Sequence, residues 1–407
     1  MIQLESITFN HNPAAATHDA INLRRNATEW VTVPEWRHGA SVTPEDSPAA
    51  YAVGQIGANP VTIKASFSSS TPGIQSAYVR AVDAVIDPPG PSGCLGWLIM
   101  LLRALLRALF GNVLGEIKAR QVTFTNGQSG PVSFELINTK LATALVGQHT
   151  TKWRWQYRKG NHGAWHDLAV TEHRIYIRIN LPTAPWQQAP YQQSNTQLPW
   201  TDVLEYACRW AAGAGTPVVA AGGVTRGVYQ LGPAAVTYDC PGGGSSHYSW
   251  GGFDCTAFIE RLRGGFGNGI YVNCSDCATF VSTFANALGC DLWQSEMGYG
   301  FGLNPMLGIG SSTWEPACHG IPPWTDSFSY HEVAWTGACT AAERVFDGCL
   351  QVDGDTDPTA APHTALLPVN IAFGNPGDLT YRDRLAVPAS RASCAPHPET
   401  RQRRAVS

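Results

Sequence analysis

The chain has 407 residues, of which 44% are hydrophobic, and its formal net charge is -4 at pH 7. This length predicts two domains, each large enough to bury a core. Nucleic-acid binding depends on clustered Lys and Arg, and the one basic cluster is Arg401, Arg403 and Arg404 near the end of the sequence, so the composition argues against that class.

Residues 1–6 lack the basic start and the apolar run of a secretory signal. The chain has 11 cysteines, an odd count, and they are spaced irregularly. Domains of this size do not need disulfide bonds for stability. We therefore expect free thiols and a cytoplasmic location.

The sequence pattern of the N-terminal region predicts β-structure. Apolar residues alternate with polar ones in four segments, which is typical of half-buried antiparallel strands: 61–67, 122–124, 132–136 and 173–179. Turn signals separate these segments. The pattern predicts an antiparallel β-sandwich domain over residues 1–188.

An apolar segment at 94–110 interrupts these strands. Arg103 and Arg107 are four residues apart and share one helix face, which predicts an amphipathic helix inserted into the domain. The segment is too short and too charged for a membrane span. Two interpretations remain open: a helix packed on its own domain, or one in contact with a membrane surface or a partner protein.

A linker rich in Pro, Gln, Ser and Asn covers residues 182–199, and a helix is predicted to begin at Thr201. This places the domain boundary near residue 190 and a second domain at 200–387. The tail at 388–407 is rich in Pro, Ser, Ala and Arg without apolar periodicity, and we predict that it is disordered.

Two cysteines lie on one predicted helix in the second domain. Apolar residues recur at helical spacing from Cys274 to residue 288, and Gly289 supplies a stop. Cys274 stands at the helix start, where free N–H groups favour a thiolate, so it is the candidate nucleophile. Cys277 is predicted to point into the core.

No cofactor and no metal are predicted. The pair Cys274 and Cys277 lacks a second Cys-x-x-Cys or a close His pair to complete a zinc site. The acidic segment from Asp353 has the spacing of a calcium loop, but Pro358 and Thr364 occupy the positions where glycine and glutamate are required.

A base for Cys274 is predicted in a hairpin. Residues 329–335 alternate as one strand and 343–352 as the next, and a turn centred near residue 339 would put Asp347 opposite His331. A carboxylate there can orient an imidazole that takes the thiol proton. Asp353 has the same strand parity and is the alternative carboxylate, although its surroundings read as a turn.

These residues resemble a known family. The motif Cys274-x-Asp276-x-Ala278, the strand that begins at His331, and Asp347 resemble the transglutaminase-like superfamily of papain-like cysteine enzymes, in bacterial form with an added N-terminal β-domain. The resemblance implies an α+β fold with Cys274 as nucleophile, His331 as base and Asp347 as orienting carboxylate. It implies an acyl-enzyme formed from a peptide or protein amide, with water or an amine as acceptor.

Two alternatives stay open. Asp276-Cys277-Ala278 and Asp254-Cys255-Thr256 both resemble the motif of NlpC/P60 cell-wall peptidases, which would move the nucleophile to Cys277 or to Cys255. The chain could also be a non-catalytic module of the transglutaminase-like fold that binds a partner, because a fold does not guarantee its usual activity.

Overall fold

The computed structural model describes residues 1–11, 19–57, 59–84, 111–186, 197–239, 244–314 and 326–407. The fold is mixed α+β, with more sheet than helix. Two compact units are present: Met1–Leu181 with Gln188–Thr201, and Pro182–Gln187 with Asp202–Ser407. The helix predicted at 94–110 lies outside the described residues.

The described part of the first unit is a nine-stranded sheet with strand order β2-β1-β4-β7-β6-β5-β8-β9-β3. All neighbours are antiparallel except β3 and β9, which are parallel. The strands are β1 Ile2–Thr8, β2 Trp36–Arg37, β3 Ala49–Ala52, β4 Thr62–Ser69, β5 Ser76–Asp83, β6 Glu116–Thr123, β7 Gln128–Ile137, β8 Gly147–Arg158 and β9 His166–Arg178.

This sheet curls over its own core. Phe67 on β4 and Trp155 on β8 lie with ring centroids 5.9 Å apart, although four strand spacings separate them in the sheet. We expected a sandwich of two sheets, but the hydrogen bonding is continuous. The pairing of Glu116 on β6 with Ile137 on β7 joins the two halves.

In its described residues, the second unit contains five α-helices and twelve short strands. The helices are α1 Thr201–Trp210, α2 Pro217–Tyr229, α3 Cys255–Leu262, α4 Cys274–Ala287 and α5 Tyr381–Leu385. The strands are β10 Thr237–Tyr238, β11 Tyr271–Val272, β12 Trp293–Met297, β13 Phe301–Gly302, β14 Met306–Gly308, β15 Ser327–Phe328, β16 His331–Trp335, β17 Arg344–Phe346, β18 Leu350–Asp353, β19 Ala365–Leu366, β20 Ile371–Ala372 and β21 Pro396–Gln402. No helix within the described ranges has the length and apolarity needed to cross a membrane.

A five-stranded antiparallel sheet, β20-β17-β16-β12-β21, forms the centre of this unit. Helix α4 packs on β16 and β12, and α2 packs on α4. Every residue of α4 is buried. The helix that begins at Cys274 is therefore enclosed by the strand that begins at His331 and by a second helix.

The prediction of a disordered tail is wrong for residues 396–402. They form β21, which pairs with β12 through Glu296 opposite His397 and Met297 opposite Pro396. The hydroxyl of Ser295 donates to the His397 carbonyl at 2.8 Å. Backbone and hydroxyl groups hold this strand at the sheet edge. Because such a strand does not need alternating apolar side chains, the sequence pattern did not predict it.

Candidate active site

Cys274 is the first residue of α4 and is 5% exposed. A capping box fixes the helix start: the Asn273 side chain accepts from the backbone N–H of Asp276 at 3.0 Å, and the Asp276 carboxylate accepts from the N–H of Asn273 at 3.2 Å. The first N–H groups of a helix have no acceptor within it and carry partial positive charge. This position therefore favours a negative charge on the Cys274 sulfur.

Asp276 also anchors the loop at 244–249. Its buried carboxylate accepts hydrogen bonds from the backbone N–H groups of His247, Tyr248 and Ser249 at 2.8 to 2.9 Å. The hydroxyls of Ser246 and Ser249 each donate to it at 2.8 Å. Asp276 was part of the motif read from the sequence, but this role was not predicted, because backbone donors leave no trace in side-chain patterns.

His331 is fully buried at the start of β16. Its Nε2 donates to Oδ2 of Asp347 at 3.1 Å, and the Phe328 ring stacks on the imidazole with centroids 5.3 Å apart. Since Asp347 occupies Nε2, Nδ1 is the nitrogen left for the Cys274 thiol. Nδ1 has no hydrogen-bond partner of standard geometry among the described residues, which suits a contact that tightens when substrate binds.

Burial lowers the pKa of His331, but the charge and hydrogen bond of Asp347 together with the neighbouring Cys274 thiol outweigh it and raise the pKa to about 10. The imidazole is then protonated at neutral pH. An imidazolium beside a cysteine is the arrangement that stabilises a reactive thiolate.

Asp347 is held from several directions. Its Oδ2 accepts from the Tyr381 hydroxyl at 2.7 Å, and its Oδ1 accepts from the N–H groups of Cys349 at 2.7 Å and Leu350 at 3.2 Å. Tyr381 lies on α5 and was not predicted. These bonds fix the carboxylate that orients His331.

The predicted hairpin register is wrong by two residues. Ala334 pairs with Phe346 and Trp335 with Val345, so Asp347 follows the end of β17 instead of lying opposite His331. A shift of two preserves which face a strand residue points to. Asp347 therefore still reaches His331, as a diagonal neighbour.

The alternative carboxylate, Asp353, is hydrogen-bonded to another histidine, His363. Its Oδ2 lies 2.7 Å from Nδ1 of His363, and its Oδ1 accepts from the N–H groups of Asp355 and Thr364, each at 3.0 Å. These bonds stabilise the turn after β18. The structure thus brings Asp347, and not Asp353, to His331.

The alternative nucleophiles lie in less reactive surroundings. Cys277 is fully buried, and this burial raises the pKa of its thiol. Cys255 begins α3, and burial together with the carboxylates of Asp202 and Asp254 raises its pKa well above the usual range. A raised pKa disfavours the thiolate that attacks an acyl carbon.

Two phenols interact electrostatically with Cys274. Burial and the Cys274 thiol raise the pKa of both Tyr238 and Tyr330, so both hydroxyls stay protonated and can donate. The Tyr330 hydroxyl lies 3.4 Å from that of Ser275. Among the described residues, no group of three or more His, Cys, Asp or Glu side chains is arranged to hold a metal ion.

No protein-family model matches this chain, and no curated protein matches it in sequence. Among solved structures, the chain is similar to the crystal structure of red sea bream transglutaminase, with 10% sequence identity and a TM-score of 0.36. The match covers 76% of this chain and 50% of that one, so the chain spans about half the length of that protein. A likeness this remote assigns neither activity nor substrate.

Proposed function

We propose that this chain is a cysteine-dependent amide-bond enzyme of transglutaminase-like type, which works through an acyl-enzyme on Cys274. One observation carries the proposal: a buried imidazole, His331, is hydrogen-bonded to a fixed carboxylate, Asp347, and interacts electrostatically with Cys274, the first residue of a helix. These are the parts that a cysteine nucleophile needs, namely a proton acceptor, an orienting group and a positive environment.

The chemistry follows from the two nitrogens of His331. The Cys274 thiolate attacks the amide carbon and forms a C–S bond while the carbonyl electrons move onto oxygen. The N–H at Nδ1 then protonates the amide nitrogen, and the C–N bond breaks to release ammonia or an amine. Asp347 holds Nε2 throughout and keeps the ring oriented.

The resulting thioester reacts with water or with a primary amine. Neutral His331 takes the proton of the attacking group, the C–S bond breaks, and the thiolate is restored together with the imidazolium. The N–H of Cys274 and the Tyr238 hydroxyl are our proposed donors to the developing oxyanion. The substrate would be a peptide or a protein.

The test is turnover of a mixture of glutamine-containing peptides, with and without a primary amine, followed by mass spectrometry. We expect deamidated, cleaved or amine-linked products from the wild type, and loss of at least ~100-fold in Cys274→Ala and His331→Ala, since each removes a reacting group. Cys277→Ala is the matched control and should keep its activity. Turnover that survives in Cys274→Ala but not in Cys277→Ala would contradict the proposal.

A further inference from the structure

Arg404 joins three elements of the second unit. Its Nη1 and Nη2 donate to the two carboxylate oxygens of Glu332 at 2.7 and 2.9 Å, and Nη1 also donates to Gln294 Oε1 at 2.9 Å and Thr279 Oγ1 at 3.1 Å. The Arg404 side chain is 13% exposed and that of Glu332 is fully buried. One guanidinium thus connects β16, β12 and α4.

The partners of Arg404 belong to the elements that carry the candidate site. Glu332 directly follows His331 on β16, and Thr279 is five residues beyond Cys274 on α4. Burial lowers the pKa of Arg404, but Glu332, Asp276 and Tyr330 outweigh this effect and raise it. Asp276 is two residues beyond Cys274, and Tyr330 directly precedes His331, so the groups that interact electrostatically with Arg404 flank both candidate residues in the chain.

We propose that Arg404 is a positioning residue for the site, and that the segment after β21 inserts its guanidinium to neutralise Glu332 and to hold the cysteine helix against the histidine strand. The inference rests on the proposed function. The proposal assigns a role at the site to part of the tail at 388–407, which was predicted from its sequence to be disordered.

The physical reason is the charge balance around the thiol. Glu332, Asp276 and Glu296 are carboxylates on β16, α4 and β12, and Arg404 is the cation that interacts with all three. Removal of Arg404 takes away a positive charge and leaves Glu332 buried without its ion-pair partner. Both changes disfavour a thiolate on Cys274.

The experiment measures the rate of alkylation of Cys274 by iodoacetamide against pH in the full chain, read by peptide mass spectrometry. For Arg404→Gln we expect the inflection to move about one pH unit to the alkaline side. The double variant Glu332→Gln/Arg404→Gln removes both charges and should return toward the wild-type curve. Arg401→Gln, at an exposed arginine that stacks on Trp293 at 3.5 Å, should match the wild type.

An unshifted curve for Arg404→Gln overturns the inference, as does a double variant displaced as far as the single one. If Arg404→Gln does not fold by circular dichroism, a folded double variant with a near-wild-type curve supports the inference, and an unfolded double variant overturns it. A wild-type inflection near that of a free thiol, about 8.5, counts against the proposed function instead. The differences between variants still test Arg404 in that case.

Discussion

Asp347 is held by more hydrogen bonds than an Asp–His pair alone would need. Four groups donate to its two oxygens, and all of it is buried. A carboxylate restrained in this way can fix the tautomer of an imidazole. The pair His363–Asp353 resembles it in distance, but serves a turn.

The His331–Asp347 pair predicts a pH dependence of stability. The pKa of His331 is raised from 6.5 to about 10, so the folded state binds the proton more tightly than the unfolded state. This stabilisation is complete below about pH 6.5 and is lost as the pH rises toward 10. Asp347→Asn removes the charge that raises the pKa, so the free energy of unfolding should fall less steeply over this window.

Urea denaturation at several pH values across this window, from 6.5 to about 10, measures the slope. Asp357→Asn, at an exposed position in the same region, is the control and should behave as the wild type. Equal slopes for Asp347→Asn and the wild type would contradict a charged His331–Asp347 pair in the folded protein.

The sequence named three residues that the structure brings together: Cys274, His331 and Asp347. It missed Tyr381, which lies 34 residues beyond Asp347. Helical spacing and strand alternation report which side of an element is buried, but they do not report which distant hydroxyl meets a given carboxylate. Partners of that kind follow only from the tertiary fold.

At the scale of elements, the start of α4 depends on Asp276 as much as on the helix itself. The carboxylate ties the loop at 244–249 to the first turn of the helix through bonds from backbone and hydroxyl donors. Charge-assisted bonds of this type are stronger than neutral ones. Asp276 therefore holds in place the loop and the first helical turn beside Cys274.

The Asp276 carboxylate only accepts hydrogen bonds. In Asp276→Asn, the amide NH2 group is a donor and would face the N–H and O–H donors that now bind the carboxylate. We expect the substitution to lower the free energy of unfolding by about 3 kcal/mol, because several buried donors lose a charged acceptor. Hydrogen exchange at residues 246–249 should become faster. Asp291→Asn, whose side chain is 67% exposed, is the control; equal stability losses in both variants would contradict the anchoring role.

The C-terminal end of helix α4 was predicted to within one residue, whereas the predicted register of the hairpin was wrong. The predicted helix ran from 274 to 288 and the observed one is Cys274–Ala287. In the hairpin, Gly337 and Cys339 both take positive φ, 54° and 58°. The turn therefore includes residues that a symmetric hairpin would place in the paired strands. Because turn geometry sets the register of a hairpin, the observed pairing differs from the predicted one.

At the scale of the whole molecule, the two compact units each have a buried core. The fragment 182–407 should consequently fold alone, unfold cooperatively and keep fast alkylation of Cys274. Circular dichroism and a thermal melt measure whether the fragment folds and whether it unfolds cooperatively. Fragment 1–201, which contains the first unit, is tested in the same way. A fragment that contains all of the second unit but remains unfolded would contradict this division.

Long-range pairing was the least predictable part of the fold. The individual strands of the first unit alternate clearly, yet one continuous sheet replaces the two that we expected, because Glu116 pairs with Ile137 across the two halves. Likewise β21 has a polar sequence, and backbone pairing and the Ser295 hydroxyl join it to β12. Alternation shows that a strand is half-buried but not which strand lies next to it.

The most direct test of the central claim is which cysteine reacts with iodoacetamide at neutral pH. In the wild type, Cys274 should be alkylated well before the other cysteines, and this fast labelling should disappear in Cys274→Ala and persist in Cys277→Ala. Equally slow labelling of Cys274 and Cys277 would contradict the claim that His331 and Asp347 make Cys274 a nucleophile.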